Sequence, residues 1–502
     1  MTPPDSVRAD DRLGPDVLRI AAVVVVGAFM SILDTTIVNV ALDRLAIDFR
    51  TGFADIQWVV TAYMLAMAAV IPLSGWVAMR FGPKHVFIAS MALFAAASAL
   101  CGFAWSLESL VAFRVLQGAG GGLLMPVGQM MLAAAAGPHR MGRVMSVIAV
   151  PMLIAPVIGP VLGGFLVDQV GWEWIFLVNV PVGVAGVVLA QRLLRADAHR
   201  AAPAWPLDVV GVALMAVGIP AITYGLAETG TLGTIAEPRA WGPIAVGLAL
   251  TAAYALYALR RDRPLLNVRL FANGGFGAAS VTAFALGAAL FGGMILMPLY
   301  EQGPRGHTAL ETGLLLAPQG LGAALSAPVA GRLTDRVGGG IVTLVGLTIL
   351  CIGTIPLTRL GADTPQWQIM LALFVRGLGL AGSMMPAFAA AYATLSRADI
   401  PDASSQLNVV QHVGGSIGSA LMAVILANRL GGEGSHPEAT PAQRAALPLP
   451  VRERLAEAYA HTHWWVLILT LVAFVPAFVL FKVERRARRG ADAPVVAPPP
   501  EL

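Results

Sequence analysis

Leu33-Asp34-Thr35-Thr36-Ile37-Val38-Asn39-Val40-Ala41-Leu42 decides how this chain is read. It is the second half of an apolar run that begins near Ile20, and a run of that length crosses a bilayer as a helix. Asp34 then lies well inside the hydrocarbon, where a charged carboxylate is costly and faces a cavity or a partner. Taking up a proton removes the charge and with it the cost. The competing reading is an acid at a helix end that reaches into the headgroups. Ile37, Val38, Val40 and Ala41 speak against it, because they carry the apolar run past the acid. A chain organised around one buried proton site is the expectation.

Composition supports a membrane setting. The 502 residues are 57% hydrophobic and only 12% charged, with a mean hydropathy of +0.74. Soluble domains carry about 25% charged residues. The net charge of +4 gives no reason to expect a nucleic-acid partner, because the basic residues fall in loops. Cys101 and Cys351 both lie in apolar runs and read as small core residues. The first 19 residues contain Asp5, Asp10, Asp11 and Asp16, so a cleavable signal is not expected.

About fourteen apolar runs follow one another. Six lie near 18–42, 56–78, 85–105, 108–132, 143–167 and 173–194, and two near 207–226 and 241–259. The last six lie near 274–299, 311–333, 341–360, 367–392, 404–427 and 464–481. With the N-terminus inside, 22 of the 33 Lys and Arg residues fall on the cytoplasmic side and 9 on the outer side. The remaining two, Arg114 and Arg376, lie inside runs. By the positive-inside rule both termini are cytoplasmic, and the location expected is the inner (plasma) membrane. The basic stretch Lys482–Arg489 suits contact with anionic lipid.

The chain also repeats itself. Gly75-Trp76-Val77-Ala78-Met79-Arg80-Phe81-Gly82 echoes Gly331-Arg332-Leu333-Thr334-Asp335-Arg336-Val337-Gly338, and the stretch from Arg114 to Pro126 echoes that from Arg376 to Pro386. The predicted organisation is an N-terminal tail (1–17), a six-helix bundle (18–195), two inserted helices with linkers (196–273), a second six-helix bundle (274–481) and a basic, Pro-rich tail (482–502). Parallel repeats around a midplane site are a transporter design.

At this point a resemblance stands out. The segment 18–481 resembles the major facilitator superfamily, in its fourteen-span drug:proton antiporter branch of EmrB/QacA-type exporters. Leu33–Leu42 is similar to the first-helix motif of that branch, with Asp43 where a Pro is common. Trp172-Glu173-Trp174-Ile175-Phe176-Leu177-Val178-Asn179-Val180-Pro181 is similar to its W-R-W-I-F-x-x-N-x-P motif, with Glu173 in place of Arg. Pro264–Phe271 and Ala403–Gly418 match the segments entering the ninth run and forming the thirteenth. The resemblance implies an all-α membrane protein of two six-helix halves plus two inserted helices.

It also implies roles. Asp34 and Arg114 would couple protons; a structural ion pair is the plain alternative for Arg114, and the two roles are compatible. Gly159, Pro160, Gly163 and Gly164 would form the kinked, close-packed helix associated with antiport; a merely well-packed helix is the plainer reading. Gly75, Arg80, Gly82 and Lys84 would form one gating loop, and Gly331, Asp335 and Arg336 its repeat. Met79 replaces the usual acid of the first loop, which shifts weight to Asp335. Asn39, Gln117, Arg376, Asn408 and His412 are candidates for lining a substrate or proton cavity.

No phosphate loop, metal-ligand cluster or nucleophile–base pair is apparent, so an enzyme is not expected. No cofactor is expected beyond the coupling proton. The function implied is export of hydrophobic or amphipathic compounds, cations among them, in exchange for protons. A proton-coupled importer of the same fold and a non-transporting membrane sensor are the alternatives.

Overall fold

The structure, a computed structural model, describes residues 14–51, 53–137, 140–195, 206–430 and 446–491. The outer ends of both predicted tails, most of the 195–206 linker and residues 431–445 of the 428–463 loop lie outside them. Among the described residues the chain is helical and contains no strand.

The helices begin and end where local chemistry says they should. Pro15, Pro83 and Pro238 open α1 (Pro15–Asp48), α3 (Pro83–Gly102) and α8 (Pro238–Leu259), at a position where a missing N–H costs nothing. α2 (Trp58–Phe81) is interrupted by the 3₁₀ turn Ile71–Leu73 around Pro72. Capping boxes start α4 (Leu107–Ala136), from Ser106 and Ser109, and α10 (Ala309–Val337), from Thr308 and Glu311. α5 (Met141–Gln169) and α6 (Trp174–Leu193) complete the first set. Asp208 caps α7 (Val209–Leu232) and also accepts from Tyr257 Oη and Leu265 N, so one acid ties α7, α8 and the chain beyond them together. The rest are α9 (Gly274–Gln302), α11 (Gly339–Arg359), α12 (Gln366–Ala393), α13 (Ile400–Leu430) and α14 (Leu449–Arg486).

Thirteen of these are long and apolar enough to cross a membrane. α5 has 29 residues and occupies the fifth predicted run, but it is not among the thirteen, and several of its side chains lie outside the described residues. Among the described residues thirteen of the fourteen expected spans meet this measure, and α5 stands as a helix at the position of the fifth. Two boundaries also differ from the sequence expectation. α1 continues past residue 42 as a polar turn held by Arg44 to Asp48 at 3.3 Å. α14 starts at Leu449 rather than near 464, because no Gly or Pro after Pro450 interrupts it before Pro476.

The packing is doubled. α1 packs on α4, α5 and α6, while α4 also packs on α2 and α3, and α3 on α6. The same pattern recurs for α9 with α12, α13 and α14, for α12 with α10 and α11, and for α11 with α14. Between the two sets, α5 packs on α10 and α2 on α13. α7 sits against α2 and α13, where Trp58 stacks on Tyr224 with ring centroids 5.8 Å apart. On α10, Leu314, Leu321, Leu325 and Val329 are exposed along one face, as expected for a surface turned to lipid.

Candidate functional site

Asp34 lies in the middle of the first helix set and is fully buried. Its Oδ2 accepts from Arg114 Nη1 at 2.6 Å. Its Oδ1 accepts from Gln117 Nε2 at 2.8 Å and from Asn179 Nδ2 at 3.0 Å. Gln117 stands one helical turn after Arg114, so a single face of α4 supplies both donors. Its Oε1 accepts a second bond from Arg114 Nη1 at 2.7 Å.

Arg114 is held as firmly as the acid. Its Nε donates to the Val59 carbonyl at 2.9 Å, and its guanidinium carbon lies 4.1 Å from the Tyr63 ring centroid. Cation–π contact of this kind adds to the ion pair when both are desolvated. Ser98 closes the network: it accepts from Gln117 and Asn179 at 3.0 and 3.2 Å and donates to the Phe176 carbonyl at 2.9 Å. Five helices, α1, α2, α3, α4 and α6, therefore meet in the network around one carboxylate. Only Arg114 Nη2 lacks a partner within the network.

Sequence reasoning named Asp34 and Arg114 for proton coupling and Gln117 for a cavity, but gave Asn179, Ser98 and Tyr63 no role. Asn179 could have been found, since an amide inside an apolar run needs a polar partner; Ser98 and Tyr63 carry no such signal. Asn39 stands apart from this cluster and is exposed. Gly159 and Gly163 on α5 press directly on Thr36 and Ile37 of α1, next to the acid. Gly164 has open space, and the Pro160 side chain lies outside the described residues.

The other predicted residues fall elsewhere. Asn408 Nδ2 donates to Gln129 Oε1 at 2.7 Å and Ser404 Oγ to the Pro126 carbonyl at 2.7 Å, so this part of α13 bridges to α4. His412 is half-buried, and its Nε2 has no partner. Arg376 lies in the second set and is not brought to Asp34. Its expected equivalence to Arg114 also shifts. Gly118 and Gly120 rest on the Tyr63 and Ser90 carbonyls, and Gly377 and Gly379 rest in the same way on those of Gln319 and Gly346. Matching those contacts brings Arg376 onto Gln117, one turn away from Arg114.

The two gating loops are built alike but charged differently. Gly82 and Gly338 both have positive φ (88° and 105°) and turn the chain from one helix into the next. Gly331 lies against the Gly142 carbonyl and Ser146 Oγ, and Asp335 accepts from Gly142 N at 2.7 Å and Arg143 Nε at 2.6 Å. In the repeat, Gly75 lies against the Pro401 carbonyl and Ser405 Oγ, and Gly75 N donates to Ser405 Oγ at 2.9 Å. By that correspondence Met79 takes the place of Asp335, and Asp402 takes the place of Arg143. Lys84 is turned away, donating to the Leu194 carbonyl at 2.6 Å, while Arg80 is exposed beside Phe81. Arg336 is also exposed. By this correspondence an acid at 79 would face Asp402, not Arg80 or Lys84.

A polytopic helical protein with a doubled bundle and a buried ion pair joining two of its helices has the architecture of a membrane transporter. A family model described as Major Facilitator Superfamily matches residues 24–419 and again 319–498. A Multidrug resistance protein B homolog of Mycobacterium tuberculosis (strain ATCC 25618 / H37Rv) is 40% identical over 419 residues, covering 83% of this chain and 77% of that protein. The Multidrug export protein EmrB of Haemophilus influenzae is 30% identical over 403 residues, covering 80% and 79%. The Methylenomycin A resistance protein of Streptomyces coelicolor is 33% identical over 407 residues, covering 80% and 84%. In fold, the chain is similar to the crystal structure of the human organic anion transporter MFSD10 (TETRAN), with a TM-score of 0.60 at 14% identity, covering 93% of this chain and 100% of that one. The chain belongs to the Major Facilitator Superfamily.

Two outcomes follow from the geometry. Removing one partner of a buried pair leaves the other uncompensated, at about 3–5 kcal/mol. Arg114→Leu should therefore lower the thermal stability of the detergent-purified protein sharply, and Asp34→Asn/Arg114→Gln should cost less than the two single changes added together. Equal additivity in that cycle would mean that the pair is not coupled. At the loops, Asp335→Asn and Met79→Asp should both impair closure, the second through like-charge repulsion, while Met79→Arg should favour it. Cysteine accessibility at the two faces, with Cys101 and Cys351 replaced, reads the balance; a Met79→Asp protein that closes as well as Met79→Arg refutes the assignment of Asp402.

Proposed function

We propose that this protein is a proton-coupled exporter of hydrophobic or amphipathic small molecules, placed in the plasma membrane with both termini cytoplasmic. The observation that carries the reading is Asp34, a carboxylate held fully buried by donors from α4 and α6. The names of relatives in drug resistance and multidrug export support the direction and substrate class.

In this reading the proton and the latch are joined by α5. A proton on Asp34 would neutralise one side of its contact with Arg114 and loosen α1 from α4. α1 touches α5 through Thr36 on Gly159 and Ile37 on Gly163. The opposite end of α5 carries Gly142 and Arg143, which Asp335 grips. A helix packed this tightly at both ends passes movement of α1 to the latch as a rigid shift, since packed interfaces rearrange between discrete states. Substrate leaving outward would then alternate with a proton entering at Asp34.

In proteoliposomes with an imposed pH gradient, wild-type protein should move dyes or antibiotics against their gradient. Asp34→Asn should abolish the pH-driven component while the protein remains folded. Full pH-driven transport by that variant would refute the coupling role, and absence of any vectorial flux in the wild type would favour a sensor. Gly159→Leu adds bulk where Thr36 already sits and should reduce export at least tenfold, roughly 1.4 kcal/mol. An unchanged rate in well-folded protein would mean that the α1–α5 contact does not gate transport.

A further inference from the structure

Arg376 is as deeply placed as Arg114 but is not neutralised. It is 3% exposed, and among the described residues no carboxylate pairs with it. Its one hydrogen bond, Nη1 to Gln319 Oε1, is long at 3.4 Å, and its Nε has no partner. Nη2 lies against Gly293 of α9, where any side chain would collide with it. Val466 of α14 borders the same spot. One turn before Val466, His463 is fully buried, close enough to Arg376 to feel its charge. The His463 Nδ1 bonds to the Tyr459 carbonyl at 2.9 Å, and its Nε2 is left without a partner.

A guanidinium keeps its charge at any relevant pH, and a buried charge without a partner is the unfavourable case. Arg114 avoids it with a carboxylate, an amide and a carbonyl; Arg376 has one distant amide. Its free Nε is half of the planar fork that matches a carboxylate through two parallel bonds. The surroundings are otherwise apolar, with Leu296, Leu373 and Val466 buried nearby along the same helices.

We propose that Arg376, with Gln319 and His463 beside it, binds a carboxylate or a similar planar oxyanion carried by the exported compound. This deepens the export reading and rests on it: hydrophobic acids join the substrate class, and the second helix set recognises charge opposite in sign to what Asp34 would attract. The first set holds its own acid and arginine together. The second set keeps an arginine whose counter-ion arrives from outside.

The test compares 2-naphthoate with its neutral analogue 2-naphthamide, by equilibrium binding to the purified full-length protein. Wild type should bind the carboxylate about tenfold or more tightly over the amide. Arg376→Gln should erase that preference, and Arg376→Lys should retain part of it. Gln319→Glu places a carboxylate beside Nη1, so it should raise the thermal midpoint and expel naphthoate; it also carries the test if Arg376→Gln does not fold. Equal wild-type affinity for the two probes, a preference that survives Arg376→Gln, or full naphthoate binding by Gln319→Glu would each overturn the site. Failure of pH-driven transport for a neutral dye would count against export alone, because the binding preference is measured without a gradient.

Discussion

The ion pair between Asp34 and Arg114 is the constraint on which the first half of the bundle depends. Neither charge is tolerable alone in an apolar interior, and together they remain tolerable only because almost every other polar atom around them is satisfied. Gln117 and Asn179 fill the second carboxylate oxygen, the Val59 carbonyl takes Arg114 Nε, and Tyr63 covers the guanidinium face. Those groups come from α2, α4 and α6, and Ser98 of α3 joins them. The positions of α2, α3, α4 and α6 relative to α1 are therefore fixed by electrostatics as well as by shape.

The second half solves the same packing problem without that pair. Glycines set the helix separations in both: Gly118 and Gly377 let one helix rest on the carbonyls of another, and Gly346 meets Gly382 with no room for a side chain. What differs is the polar content laid onto this shared frame. At the turn where the first half has the amide of Gln117, the second has Arg376, and near it the helix α9 offers Gly293. The loops show the same divergence, with a charged pair at Asp335 and Arg143 and an uncharged seat at Gly75 and Ser405. Doubling gives the architecture, and loss of charge symmetry gives the two halves separate tasks.

α5 connects these regions. One end holds Arg143 against Asp335, and its middle presses Gly159 and Gly163 onto Thr36 and Ile37 of α1, two and three residues after Asp34, so that, apart from a 3.4 Å bond from Thr36 Oγ1 to the Ala155 carbonyl, its influence on Asp34 is steric. The exposed apolar face of α10 lies on the far side of that contact, where lipid offers no directional hold. A shift at one end of α5 meets little polar resistance along its length.

The fold was legible in the sequence because the bilayer makes it so. An apolar run that cannot leave its backbone unsatisfied must be helical, and the echo of Gly75–Gly82 in Gly331–Gly338 announced the doubling. Asp34, Arg114 and Gln117 were legible too, because charge and amide inside apolar runs are costly enough to demand partners. What the sequence left open is which group meets which. Asn179 sits 145 residues from Asp34, and Asp335 sits 192 residues from Arg143; only the packing of the helices brings them together. The same holds for Arg376. Its sequence neighbours repeat those of Arg114, yet a one-turn offset in the glycine contacts places it where, among the described residues, no acid pairs with it. Run length and burial cost are local properties that a sequence carries, whereas helix register and the facing of side chains are set by contact between distant segments.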